Sequence, residues 1–127
     1  MKILLDTHVF LWAITDDPRL SPAHRKLFVD ADSDLFLSSA SIWEVVIKAS
    51  LGRLPIALPC VPYLNKQMER NRVSLLSVRM SHLEELEAVP CLHGDPFDRM
   101  LAAQARAENI LLATSDAMLQ GYGARIV

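Results

Sequence analysis

The apolar positions of this chain fall in short runs that stop at polar junctions. Residues 2–6, KILLD, form a continuous apolar run ending on a carboxylate, the pattern of a strand buried on both faces. THVFLWAIT (7–15) follows as a helix with Asp6 or Thr7 at its N-cap. DDPRLSP is a turn, and Ser21 before Pro22 starts a second helix with proline in its first position. DLFLSS (34–39) reads as a second strand. It leads into SASIWEVVIKASLGRL, a helix with Ile42, Val45, Val46 and Ala49 on one stripe and a stop near Gly52. Within it, Ser41 and Glu44 have the spacing of a capping box.

Pro55, Pro59 and Pro62 make the next stretch a loop, ahead of a helix over roughly 62–71. RVSLLSV (72–78) holds a short strand, and SHLEELEAVP a small helix opened by Ser81 with Glu84 three residues on. GDPFDRMLAAQARAEN (94–109) carries the strongest helix signals in the chain. Asp95 caps it, Pro96 takes its first position, and Asn109 closes it in a left-handed conformation. ILLATS (110–115) is a buried strand, DAMLQGYG a short helix or turn, and ARIV (124–127) a terminal strand. This alternation predicts one α/β domain over 1–127, with a mostly parallel central sheet flanked by helices on both faces.

Composition adds limits. The chain has 127 residues, 51% hydrophobic and 22% charged, with enough length to bury a core. No apolar stretch approaches the roughly 20 residues of a membrane span. Asp6 and His8 interrupt the N-terminal apolar run, which argues against a signal peptide. Two cysteines, Cys60 and Cys91, suit a reducing compartment, so a cytoplasmic protein is expected. The formal net charge of −2 does not announce a nucleic-acid binder.

The acids change the picture. In an open parallel sheet, ligands sit beyond the carboxyl ends of the strands. Asp6 ends the first strand, Asp116 follows ILLATS, and Glu44 lies one turn into the helix leaving DLFLSS. Asp95 and Asp98, three apart, share a face at the start of the 94–109 helix. Each alone is explained by helix capping, worth about 1 kcal/mol. Four or more like charges gathered at one sheet end repel, and a cation would offset that repulsion. Ligands scattered along the chain do not fit a twelve-residue EF-hand loop; they fit a Mg²⁺ or Mn²⁺ site of hard oxygen donors. With five acids set against a metal, ten remain beside 13 Lys and Arg, which leaves the rest of the surface mildly basic.

Other chemistries lack their residues. The four glycines are too scattered for a phosphate loop, and no G-x-S-x-G elbow surrounds SSAS (38–41). Cys91 and His93 have no partners at zinc spacing and read as a structural thiol and a surface side chain. His8, two residues after Asp6, is expected to be an ordinary helix residue, with a place facing the pocket as the alternative. Trp12 and Trp43 fall on apolar helix faces and are expected in the core, with a partner surface as the alternative.

ILLDTHVFLW, SSASIWEVVIKASLGRL and DPFDRMLAAQARAENILLATSD, in this order and separation, resemble the PIN-domain family, in particular the VapC-type toxins of bacterial type II toxin–antitoxin systems. Residues 53–90 carry no motif for the resemblance. It implies a PIN-like fold and a Mg²⁺- or Mn²⁺-dependent ribonuclease whose acidic quartet maps onto Asp6, Glu44, Asp98 and Asp116, as both catalytic and metal-binding residues. Asp98 is taken over Asp95 because the family's third acid directly precedes the stretch matching RMLAAQA. Asp95 is then an extra acid, a neighbour of the ligands, or only the cap. Thr7 and Ser115 adjoin quartet members and are candidates to orient them.

By the same resemblance, Asp6, Asp98 and Asp116 hold a metal that activates water, and Glu44 holds a second metal or takes the water's proton. The products are a 5′-phosphate and a 3′-hydroxyl. Lys48, Arg53 and Arg99 are candidates for RNA contact or plain surface charges. The implied partners are RNA, a second copy in a homodimer, and a cognate antitoxin that packs on a groove of the helices at 7–15 and 40–51. Its basic side chain can enter the acid pocket. Three rivals are a non-catalytic PIN fold that binds RNA or protein, a receiver-like binding domain, whose paired acids and late lysine ILLATSD does not offer, and a phosphatase-like domain with an Asp nucleophile. His8 stands where such phosphatases place a second Asp, which counts against the last.

Overall fold

The computed structural model describes residues 1–91 and 94–127. The expectation for His93 lies outside the described residues. A five-stranded sheet has the order β3-β2-β1-β4-β5. Its strands are β1 (Lys2–Leu5), β2 (Asp34–Ser38), β3 (Val73–Leu76), β4 (Leu111–Ala113) and β5 (Arg125–Ile126). Every neighbouring pair is parallel. The helices are α1 (Thr7–Ile14), α2 (Pro22–Leu27), α3 (Ser39–Ser50), α4 (Val61–Arg70), α5 (Met80–Ala88) and α6 (Pro96–Glu108), with a 3₁₀ helix at Ala117–Tyr122.

The continuous apolar runs in β1 and β4 follow from burial on both faces. Ile3, Leu5, Leu35, Leu37 and Ala113 point to one core with Val9, Phe10, Val45, Leu64 and Met68. Leu4 and Leu112 point to the other, with Leu101, Ala102, Leu119 and Tyr122. The period-2 alternation of a strand thus sorts α1, α3 and α4 to one side and α5, α6 and the 3₁₀ helix to the other. From β1 the chain first builds outward through β2 and β3, then returns to β1's other edge as β4. The order therefore reverses between β1 and β4, and a crevice opens there at the carboxyl ends.

Two caps differ from the sequence expectation. Helix α3 begins at Ser39, where the Ser38 hydroxyl accepts from the Ala40 N–H at 3.0 Å. Ser41 lies inside the first turn and turns to Thr7 instead, so the Ser41–Glu44 box does not form. Helix α5 starts at Met80, with Arg79 at the N-cap, and not at Ser81. There the buried His82 ring accepts from the Arg79 N–H through Nδ1 at 3.0 Å and meets Glu108 of α6 through Nε2 at 2.8 Å. A tertiary anchor displaced the local signal. Arg106–Glu85 at 2.8 Å adds a second tie between α5 and α6. The Asp95, Pro96 and Asn109 signals around α6 all hold, Asn109 at φ 54°.

Candidate active site

Asp6 does two jobs at the β1–α1 junction. Its Oδ1 caps α1 by accepting from the His8 N–H at 3.3 Å. Its Oδ2 accepts from the Thr114 hydroxyl at 2.6 Å. Thr114 sits just past β4, and its oxygen in turn accepts from the Asp116 N–H at 3.0 Å. The Asp6 N–H donates to the Ala113 carbonyl at 2.9 Å. The carboxyl ends of β1 and β4 are thus stapled together, with Asp6 buried and Asp116 beside it, exposed and capping the 3₁₀ helix.

Glu44 arrives from α3 and is buried, with both oxygens engaged. Oε1 lies 2.8 Å from the Thr7 hydroxyl, and Oε2 lies 2.6 Å from the Lys48 ammonium. A carboxylate only accepts, so Thr7 donates its one proton to Glu44, and the Ser41 hydroxyl, 2.8 Å away, donates to Thr7. From α6, Asp95 caps the helix by accepting from the Phe97 and Asp98 N–H groups at 2.9 and 3.3 Å. Asp98 stands half-buried in the first turn.

These acids line one cavity of about 410 Å³. Asp6, Glu44, Asp95, Asp98 and Asp116 supply its negative wall, with Ser115 at the edge. His8, Trp12 and Arg19 complete the lining. The Arg19 guanidinium lies 5.2 Å over the Trp12 ring and is paired with Asp17 at 2.7 Å. The electrostatics record the crowding. Desolvation pushes the Asp98 carboxyl up to about 7, with further push from Asp95, Asp6, Glu44 and Asp116. Desolvation also raises Asp6, against the opposing Thr114 hydrogen bond, the His8 charge and the His8 N–H.

The donor set is all oxygen, which suits Mg²⁺ or Mn²⁺ and disfavours zinc or copper. Among the described residues, no group of three or more His, Cys, Asp and Glu side chains closes into a ready ion cage. The carboxylates line an open cavity instead. That arrangement fits Mg²⁺, which keeps several waters and takes one or two carboxylates directly.

All four predicted quartet acids, with Asp95 and Ser115, meet at this cavity, and Thr7 touches Glu44 directly. The basic candidates separate. Lys48 is bonded to Glu44, and Arg53 is exposed outside the cavity lining. The Arg99 guanidinium donates to the carbonyls of Leu86 and Val89 at 3.5 and 3.2 Å, holding the end of α5 to α6. Sequence reasoning missed Thr114, whose signal was its place two residues before Asp116, and it missed Ser41 as Thr7's partner. It also left out Arg19, which nothing local marks. His8 lines the cavity, the alternative to an ordinary helix residue. Trp43 is 63% exposed and not core, resting edge-on against Phe97 at 5.4 Å between ring centroids. Cys91 is exposed, not a buried structural thiol.

Against known proteins, the family model described as PIN domain matches residues 3–124. The chain belongs to the PIN-domain family. This PIN domain is 30% identical over 121 residues to Ribonuclease VapC22 of Mycobacterium tuberculosis (strain ATCC 25618 / H37Rv), an alignment covering 94% of the chain and 91% of that protein. It is 34% identical over 77 residues to Ribonuclease VapC16 of the same strain, covering 54% of the chain and 55% of that protein. Its fold matches the crystal structure of VapBC2 from Rickettsia felis bound to a DNA fragment from their promoter, with a TM-score of 0.73 at 15% identity, covering 100% of the chain and 98% of that one. It also matches DNA-bound VapBC from Salmonella typhimurium, with a TM-score of 0.72 at 16% identity, covering 100% and 97%.

Proposed function

We propose that this PIN domain is the toxin of a type II toxin–antitoxin system, an endoribonuclease that hydrolyses RNA phosphodiester bonds with Mg²⁺ or Mn²⁺. The observation that carries the reading is the convergence of Asp6, Glu44, Asp98 and Asp116 from four separate segments on one cavity at the β1/β4 switch point. Helix capping accounts for Asp6, Asp95 and Asp116, but Glu44 and Asp98 cap nothing, and Asp98 is placed where four other carboxylates oppose its ionisation. The names of the curated relatives support RNA as substrate.

Asp6 and Asp98, with Asp116, are the residues to hold the ion, which when bound polarises phosphoryl oxygen and lowers the pKa of a water. Thr114 fixes the Asp6 carboxylate by its 2.6 Å hydrogen bond, and Thr7 with Ser41 fixes Glu44. Arg19, in the same lining, brings positive charge to a cavity otherwise rich in acid, which suits a phosphate oxygen. Ser115, in the same lining, offers a hydroxyl to a substrate phosphate.

The structural neighbours are VapBC assemblies, which supports a cognate antitoxin as partner. A groove of α1 and α3 is the surface for it, and Trp43 is an exposed apolar side chain of α3. A homodimer and a cytoplasmic setting complete the reading; among the described residues no helix is long and apolar enough to cross a membrane. The test is cleavage of purified total RNA. Cutting that needs Mg²⁺ or Mn²⁺, stops with chelator and is lost in Asp6→Asn supports the reading. Cutting that survives both treatments removes it.

A further inference from the structure

Glu44 differs from its neighbours in the pocket because a cation already sits on it. The Lys48 Nζ lies 2.6 Å from Oε2, one helical turn further along α3, and the Lys48 side chain is only 33% exposed. The other carboxylate oxygen is committed to Thr7, which Ser41 holds from the same helix as Glu44. The Glu44 side chain is 6% exposed, so the pair is held in protein rather than in water. A hard divalent ion is repelled by an ammonium already on the carboxylate, and this separates Glu44 from Asp6, whose two oxygens accept only from neutral donors, the His8 N–H and the Thr114 hydroxyl. The Asp98 carboxylate is the opposite case: no donor bonds to it among the described residues, and it faces the cavity.

We propose that Lys48 is a built-in counter-cation: it holds Glu44 out of the ion's reach, so the pocket takes one divalent ion, on the Asp6, Asp98 and Asp116 side. This rests on the divalent-ion reading above and changes two parts of the sequence expectation. Lys48 is then a positioning residue for the acid cluster, not a contact to the RNA backbone. Glu44 is a fixed charge beside the ion, not the ligand of a second one. The i, i+4 placement has Glu N-terminal to Lys, the favoured order on a helix, so α3 itself keeps the two in register. An ammonium also differs from a metal in what it does there. It neutralises charge without polarising a phosphoryl oxygen or acidifying a water.

The experiment counts ions on the intact chain by Mn²⁺ electron paramagnetic resonance titration, with circular dichroism and a melting curve to confirm folding. Wild type, Lys48→Met, Lys48→Arg, Glu44→Gln, the Lys48→Met/Glu44→Gln double variant and Asp98→Asn are compared. Lys48→Met keeps most of the aliphatic stem and removes the charge. The expected result is about one Mn²⁺ per wild-type chain and about two in Lys48→Met, the number a two-metal site holds. Lys48→Arg and Glu44→Gln stay at about one, and the double variant returns to about one because the released ligand is gone. A merely structural lysine would move the melting curve and leave the ion count where it was.

Two ions on wild type, or one ion on a folded Lys48→Met chain, overturns the proposal. Should Lys48→Met not fold, the wild-type and Glu44→Gln counts still decide. Two ions falling to one in Glu44→Gln would show Glu44 to be a ligand after all, while one ion in both supports the proposal. No Mn²⁺ on wild type at millimolar concentration removes the divalent-ion reading itself. Binding by wild type that Asp98→Asn loses keeps that reading whatever Lys48 does.

Discussion

Asp98→Asn is expected to stabilise the folded chain in metal-free buffer while abolishing its activity. In the folded chain Asp98 ionises near 7, against 3.8 as the usual value, with desolvation as the main cause and four neighbouring carboxylates behind it. Between those pH values the native chain holds a proton that the unfolded chain has lost. Stability therefore falls as pH rises from about 4 to about 7 and stays lowered above that. Undiminished, a rise of that size corresponds to about 4 kcal/mol. Asp98 is half-exposed, and solvent screening reduces the effect to about 1–2 kcal/mol. Opposing it is the favourable position of an acid in the first turn of α6, worth about 0.3–1 kcal/mol. The repulsive side wins. The net of about 0.5–1 kcal/mol is expected to place Asp98→Asn roughly 2–5 °C above wild type in melting curves at pH 8 with chelator, for a chain of this size. At pH 4 the gap closes. With Mn²⁺ at a hundred times its dissociation constant, wild type gains about 2.7 kcal/mol from binding and overtakes the variant. An Asn variant that melts below wild type at pH 8 without metal would refute the reasoning and leave the helix dipole as the whole role of Asp98.

Removing the hydroxyl in Thr114→Val leaves buried Asp6 without its 2.6 Å donor, so its carboxyl should titrate higher still and Mn²⁺ affinity at pH 6 should fall more than at pH 8. Calorimetry at the two pH values checks this, and equal loss at both would contradict it. His82→Leu removes the buried link between the α5 cap and Glu108 and should cost about 2–4 kcal/mol in urea unfolding, leaving Mn²⁺ binding per folded chain unchanged. Metal affinity of wild type should weaken as pH falls below about 7, because the ion must displace the Asp98 proton; a flat profile from pH 8 to pH 5 would count against Asp98 as a ligand.

The parts of this fold that can be read from the chain are those set by local chemistry. The apolar runs of β1 and β4, the Asp95–Pro96 start of α6 and its Asn109 stop each follow from burial or backbone geometry within a few residues. The gathering of five acids was legible because Asp6, Asp95, Asp98 and Asp116 lie at or just inside element boundaries and Glu44 lies early in its helix, while the choice of four among them came from the resemblance to the PIN-domain family. What stayed hidden depends on contacts far along the chain. Thr114 meets Asp6 across 108 positions, and Ser41 meets Thr7 across 34. The α5 start went to Arg79 because His82 is fixed by Glu108, 26 residues away. Ser41 and Ser81 had the right spacing for a cap, but spacing alone does not say which hydroxyl another helix will recruit. Lys48 was visible as an i+4 neighbour of Glu44; only the burial of the pair shows that its charge is committed inward.

The most direct test of the central claim is to express wild type and Asp98→Asn briefly in a bacterial host that lacks an antitoxin, and to map new RNA 5′-phosphate ends. A metal ribonuclease centred on this cavity predicts discrete new ends and arrested growth with wild type alone. Equal sets of ends from two soluble, folded proteins, or none from either, would contradict it.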